Sequence, residues 1–290
     1  MRKRTTALES MSLERRRTRI LSCILFTVLV VVAVVQIFPF YYLSVFSLKS
    51  NEDIFSGNVI GLPKKFMWNN YTHALVTAKI FLFFANSLLV TSVTIVVTVI
   101  VSAMVSYAIM RMRWKLSKVF LALFLLGLMV PQHSALLPIF VILRNLKLLN
   151  TRLALILPYI AFALSMAILV LTGFLETVPR ELEEASFIDG CSIYRTFFMI
   201  VVPLLAPALA TVAILTYLAA YNEMMFAVTF VSKTALKTLT VGILGLQGRW
   251  YNNWGAIGAS LVVAMAPTVA IYLLLSNQVQ RGLMAGAVKG

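Results

Sequence analysis

Residues Ile80 to Met110 read IFLFFANSLLVTSVTIVVTVIVSAMVSYAIM, a run without one Asp, Glu, Lys or Arg. A helix rises about 1.5 Å per residue and a bilayer's hydrocarbon core is about 30 Å thick, so this run is long enough to cross a membrane. An ionised side chain at mid-bilayer costs at least about 3 kcal/mol, so gaps between charges mark where spans can lie. Outward from this run the chain has further gaps at Ile20–Leu48, Val119–Leu143, Leu153–Leu175, Thr196–Asn222 and Trp250–Gln280. The pattern predicts an all-α integral membrane protein with six transmembrane helices. One compact domain is expected over 20–280, preceded by a basic N-terminus at 1–19 and followed by a tail at 281–290. Pro131, Pro203 and Pro207 fall inside predicted spans. They are expected to be accommodated there, because packed neighbours in a bundle can re-satisfy the carbonyls that proline frees.

Composition agrees. The 290 residues are 61% hydrophobic and 12% charged, with a mean hydropathy of +0.93, whereas soluble domains average about 45–50% apolar and about 25% charged. Six spans leave room for loops but not for a large extramembrane domain. The net charge of +15 is assigned to cytoplasmic loops and anionic lipid rather than to nucleic acid. Cys23 and Cys191 are far apart and form neither a disulfide framework nor a zinc spacing. The first apolar run exceeds the roughly 7–15-residue core of a signal peptide, and no small-residue cleavage site follows Phe38-Pro39-Phe40, so it is expected to stay as a helix. Alternate connecting segments carry 15 and 10 of the Lys and Arg residues. The positive-inside rule therefore puts both termini in the cytoplasm, chiefly through Arg15, Arg16, Arg17 and Arg19 before the first span. On the opposite side, Lys49 to Lys79 reads as an ordered interfacial cap.

The spans lack the intramembrane carboxylates and histidines that an ion-driven carrier uses for coupling. His133, beside Pro131, and Glu223, at the end of the fifth span, are the exceptions, and an interfacial position is expected for Glu223. There is no GxxxxGK[ST] phosphate cradle, HExxH, CxxC or G-x-S-x-G elbow. A solute moved against its gradient would then draw its energy from another polypeptide, and a docking element should lie on the cytoplasmic side.

Such an element stands between the fourth and fifth spans, where Thr177 to Pro203 reads TVPRELEEASFIDGCSIYRTFFMIVVP. Pro179 suits a first helical position, and Glu181, Glu183 and Glu184 favour the positive end of a helix dipole. Gly190 should stop that helix, and a second segment from about Ser192 should lead into the fifth span. With the preceding Glu176, the segment carries Glu181, Glu183, Glu184 and Asp189 against Arg180 and Arg195, the reverse of a normal cytoplasmic loop. Acidic character with Leu182, Phe187 and Ile188 as apolar anchors points to a protein partner. Small Ala185, Ser186 and Gly190 permit close approach.

The order Glu184-Ala185-Ser186, Asp189-Gly190, then nine residues to Ile200-Val201-Val202-Pro203 resembles the EAA loop of permease subunits in binding-protein-dependent ABC importers. Ser186 and Val202 stand where Ala and Leu are commoner. Asn86-Ser87, Tyr107-Ala108 with Arg111, Pro131 and Pro138, Leu148-Leu149-Asn150-Thr151 and the tail Gly282 to Gly290 narrow the likeness. They are similar to the smaller permease subunit of maltose-type carbohydrate importers. The resemblance implies a type I ABC importer permease fold and a multi-pass protein of the cytoplasmic (inner) membrane that is not itself an enzyme. Its implied partners are a second homologous permease, an ATPase homodimer, an extracytoplasmic sugar-binding protein, the sugar substrate and membrane lipid. ATP and Mg would be used by the ATPase, with no cofactor or metal on this chain. It further implies that loop 176–200 is a coupling helix, with Glu181, Glu184, Ala185, Ser186, Asp189, Gly190, Ile200 and Pro203 as the coupling residues.

A second candidate region lies on the other side. Tyr221-Asn222-Glu223 occupies the place where the family has Trp-Asn-Asp or Trp-Asn-Glu. Leu239 to Trp254 contains Gly242, Gly245, Gly248, Trp250, Tyr251, Asn252, Asn253 and Trp254. The resemblance implies a loop that reaches into the binding protein, with Gly245, Gly248, Trp250 and Trp254 at its contact, although Trp and Tyr at an interface also serve as lipid anchors. A di- or oligosaccharide is the expected cargo. Glycerol-3-phosphate or another small polar solute is the alternative within transport, and a polytopic membrane enzyme the alternative outside it.

Overall fold

The computed structural model describes residues 2–112, 114–248 and 253–287, with side chains from 19 to 274 within those ranges. In chain order the helices that matter here are α1 Arg2–Ser47, α2 Asn51–Phe55, α3 Ile80–Arg111, α4 Ser117–Gly127, α5 Leu136–Asn145, α6 Leu153–Leu175, α7 Glu181–Ile188, α8 Ile193–Thr196, α9 Ala206–Tyr221, α10 Met225–Phe230, α11 Leu239–Leu244 and α12 Trp254–Ala287. No strand occurs among the described residues. Helices α1 (from Arg19), α3, α6 and α12 are each long and apolar enough to cross a membrane.

The third and fifth runs, expected as ordinary spans, are bent pairs. Ser117–Gly127 meets Gln132–Asn145 at 93°, and Ile193–Leu204 meets Ala206–Tyr221 at 74°. Pro131 adopts φ −63° and ψ 119°, an extended conformation that ends a helix and leaves no N–H to restart it. In the fifth run the ladder widens into a π turn at Phe197–Val201 and breaks at Leu205, between Pro203 and Pro207. Neighbouring helices therefore do not hold these prolines in straight spans. Counting each bent pair as one span restores six.

The chain forms two compact units. Unit 1 comprises 1–71 and 253–262, and unit 2 comprises 72–252 and 263–290. Within unit 1 the apolar stretch of α1 is exposed all round, with Phe26 at 68% and Leu29 at 65%. A helix apolar on every face suits lipid or another membrane helix, not water. The Asn70 amide donates to the carbonyls of Ser47 and Lys49, each at 2.9 Å, closing the end of α1. Gly255 of α12 passes this cap so closely that an added Cβ would lie 2.6 Å from the Lys49 oxygen. The following loop is tied by the buried Lys49, whose ammonium donates to the carbonyls of Asn58 and Val59. Asp53 accepts from the Lys64 amide at 3.1 Å and the Asn58 side chain at 3.2 Å. The Lys64 amide is the largest influence holding the Asp53 carboxyl below its ordinary value, against the opposing effect of burial.

Unit 2 is built around α3, packed on α6 and α9. Its buried face carries Ser87, Thr91, Thr94, Thr98, Ser102 and Ser106, spaced three or four apart, so the hydroxyls form one helical stripe. Small side chains let membrane helices approach closely. The Thr94 hydroxyl turns back to the Val90 carbonyl at 2.8 Å, which satisfies it without a partner helix. Apolar clusters lie toward the two ends of the stripe. One gathers Val90, Leu155, Tyr159, Phe226 and Phe230; the other gathers Tyr107, Leu171, Leu175, Phe197 and Leu205.

Candidate functional site

Helix α7 and its flanks form the first candidate site. Glu181, Glu183 and Glu184 occupy its first turn, where the dipole favours negative charge. The helix starts after Arg180 rather than at Pro179. Its stop falls where the sequence predicts. Gly190 takes φ +81°, the left-handed conformation that glycine enters without steric cost. The Gly190 and Cys191 amides then donate to Phe187 and Ser186 carbonyls at 3.1 and 2.9 Å, completing the helix terminus. Ser192 caps the next segment by accepting from the Arg195 amide at 3.4 Å.

The helix has two dissimilar faces. Glu181, Leu182, Glu184, Ala185, Phe187, Ile188, Asp189 and Gly190 are exposed, with Ile188 at 86%. Tyr194, Phe198 and Met199 continue the exposed apolar surface beyond the turn. The inward face carries Glu183 and Ser186. The Ser186 hydroxyl lies 2.8 Å from that of Thr196 and donates to the Glu183 carbonyl at 2.7 Å. Ser186, placed among the docking residues on sequence, therefore ties α7 to α8. Ile200 and Pro203 lie in and just after the π turn, not on the exposed face of α7.

Glu183 pairs with Arg111 at the end of α3, Oε1 to Nε at 2.8 Å, with both side chains 7% exposed. The contact is a charge pair without the alignment of a hydrogen bond. The guanidinium also donates to the carbonyls of Leu175 at 3.0 Å and Val178 at 2.6 Å. Tyr107 lies against the same carboxylate. Breaking such a pair by removing one partner costs about 3–5 kcal/mol, because the other charge stays buried. Nearby, Arg180 donates to the Met110 carbonyl at 3.1 Å. Sequence reasoning assigned neither Arg111 nor Glu183 a contact. The available signal was an Arg ending a span, the first of a basic run, and a third acid on a short helix.

At the opposite end of α3 the connecting segments are sewn to the spans. The Asn86 side chain donates to the Ala235 and Lys237 carbonyls at 2.8 and 3.1 Å, and Ser87 accepts the Leu239 amide at 2.8 Å. The Asn150 carbonyl oxygen accepts from the amides of Ser232 and Lys233 and from the Ser232 hydroxyl, at 2.7 to 3.0 Å. Glu223 is buried among its neighbours. Its carboxylate accepts from the Tyr159 hydroxyl at 2.6 Å and the Phe226 and Ala227 amides at 2.8 and 3.1 Å, which caps α10. Tyr221 is buried too, stacked on Tyr217 and donating to the Ala264 carbonyl at 3.1 Å, while Asn222 is exposed and donates to Leu218. Both side chains of the Tyr221 and Glu223 pair thus have partners within the bundle.

The remaining residues of that region fall in different units or outside the described residues. Gly245 follows α11 in unit 2, as does Gly248. Trp254 opens α12 in unit 1, its amide donating to Asn51 at 3.0 Å and its ring edge-on to Phe55. Trp250, with Tyr251 and Asn252, lies outside the described residues, as do the side chains of the 282–290 tail. A cavity of about 250 Å³ opens between α6, α9 and the break after Pro131, lined by Gln132, Tyr159, Phe162, Met166, Thr216 and Ala220 among others. Among the described residues no cluster of His, Cys, Asp or Glu could hold a metal ion.

The fold thus combines broken spans, a short helix between the fourth and fifth runs and a hydroxyl-lined central helix. The fold matches a chain in the crystal structure of a bacterial ABC transporter involved in the import of the acidic polysaccharide alginate. The TM-score is 0.78 at 21% identity, over 89% of this chain and 96% of that one. Residues 98–285 match the family described as binding-protein-dependent transport system inner membrane component. The chain is 36% identical to the putative ABC transporter permease protein ORF2 of Caldicellulosiruptor sp. (strain Rt8B.4), over 87% of this chain and 91% of that protein. It is 33% identical to the trehalose/maltose transport system permease protein MalG of Thermococcus litoralis, over 90% and 94%. The chain belongs to the inner-membrane permease components of binding-protein-dependent ABC transport systems. It is a transport subunit rather than an enzyme, in a family that works with a binding protein and an ATPase.

Proposed function

We propose that this chain pairs with a second, homologous permease to form the membrane path for a di- or oligosaccharide. An extracytoplasmic binding protein delivers the sugar, and a cytosolic ATPase homodimer using ATP and Mg supplies the energy through loop 176–200. In this reading both termini and α7 are cytoplasmic, as the Lys and Arg distribution favours. The observation that carries the proposal is the two-faced α7. Glu181, Glu184, Phe187 and Ile188 are exposed for a partner while Glu183 and Ser186 fasten the helix to the spans. Closure of the ATPase would pull α7 and switch the path between inward and outward access. The saccharide class is supported by the relative named for trehalose and maltose.

The test is to tag the chain at its C-terminus, co-express its genomic neighbours and identify what co-purifies from mild detergent. The expected result is one second permease, two ATPase copies and uptake of maltose or trehalose, with Glu184→Lys abolishing uptake while insertion persists. Recovery of the chain alone, or full uptake in the variant, contradicts the proposal.

A further inference from the structure

We infer that Arg111 and Glu183 are the positioning pair through which movement of α7 reaches the membrane spans. The inference rests on the reading of α7 as the docking helix for the ATPase. Force applied to the exposed face of α7 can leave along its covalent ends or through its inward side chains. The Ser186–Thr196 contact leads to α8, which opens the fifth run and is already joined to α7 through the chain. The Glu183 carboxylate instead reaches Arg111, at the far end of α3 in sequence. The same guanidinium holds the Leu175 and Val178 carbonyls at the end of α6. One planar group with several fixed donors thus joins α3, α6 and α7. Both charges are nearly excluded from solvent, where an ion pair is stronger and little screened by salt. Glu183 also points away from the face that bears Glu181 and Glu184, so its task is internal rather than contact with the partner.

The pair is tested in the full complex reconstituted in proteoliposomes with maltose-loaded binding protein, reading sugar moved per ATP hydrolysed. Glu183→Gln keeps the side-chain shape and removes the charge. Arg111→Met with Glu183→Gln leaves no lone buried charge, the situation that most endangers folding. The expected result is wild-type recovery of the ATPase with at least a fivefold fall in sugar moved per ATP. The double variant should be no worse than the single, since the two residues act as one unit. Arg111→Lys, which keeps the charge but loses the fork, should fall between. A purely structural role would lower the yield of complex and leave the ratio unchanged. Wild-type coupling in the double variant overturns the proposal. If Glu184→Lys and Ile188→Asp leave ATPase recovery intact, the docking reading itself fails. If they abolish recovery while the double variant couples normally, only the role of this pair fails.

Discussion

The two ends of unit 2 are held by different chemistry. Around Asn86, Asn150 and Glu223, side chains bond to backbone amides and carbonyls of the segments from Phe226 to Leu239, so each loop is fixed at several points. Around α7 the inward contacts are a charge pair, an Arg fork and a hydroxyl contact, and the other face of the helix is exposed with large apolar side chains. Amide caps fix a loop to one geometry. At α7 a shared cation, with the Ser186 contact to α8, links a short helix to the ends of α3 and α6. The proposed function needs the first end to hold still and the second to transmit movement.

Substitutions can break this contrast, beginning with the largest effect. Gly190→Pro should abolish uptake, because proline fixes φ near about −65° where the turn needs +81°. Sustained uptake would show that the turn does not position α7. Glu223→Ala should destabilise the protein by about 2–4 kcal/mol, since it strands a tyrosine hydroxyl and two buried amides. Thermal unfolding in detergent measures this, and an unchanged midpoint would remove the argument for a fixed end. Asn150→Ala should cost about 1–2 kcal/mol in the same assay, with uptake reduced less than by Gly190→Pro. The smallest effect concerns the Lys49–Lys64 loop of unit 1. Its Asp53 carboxyl is held below 3.8, so its contribution is present above that value and is lost as pH falls through the folded value. Protease cleavage of this loop in Asp53→Asn should exceed wild type near neutral pH, and the difference should shrink as the pH falls through the lowered Asp53 value.

Much of this was legible in the sequence because charge is excluded from hydrocarbon. The gaps at Ile80–Met110 and Leu153–Leu175 match α3 and α6 almost to the residue. The stop at Gly190 and the restart after Ser192 were legible because both rest on local backbone chemistry. The breaks at Pro131 and Leu205 were not, since whether neighbours rescue a proline depends on packing that no single segment encodes. The inward turn of Glu183, Ser186, Tyr221 and Glu223 was hidden for the same reason. A carboxylate facing a partner and one facing Arg111 or Tyr159 are alike until the helices are assembled. Asn86 and Asn150 were visible as family marks, but their work as loop anchors needed the distant segment from Ser232 to Lys237.

The outward face of α7 is where the proposed ATPase contact lies. The measurement is the ATPase recovered with the tagged full-length chain when Phe187 and Ile188, 45% and 86% exposed, are both changed to Asp. Membrane insertion and thermal stability should stay at wild-type levels, since neither side chain packs into the core, while ATPase recovery should drop at least tenfold. Undiminished recovery from a stable, inserted variant would contradict the assignment of α7 as the coupling helix.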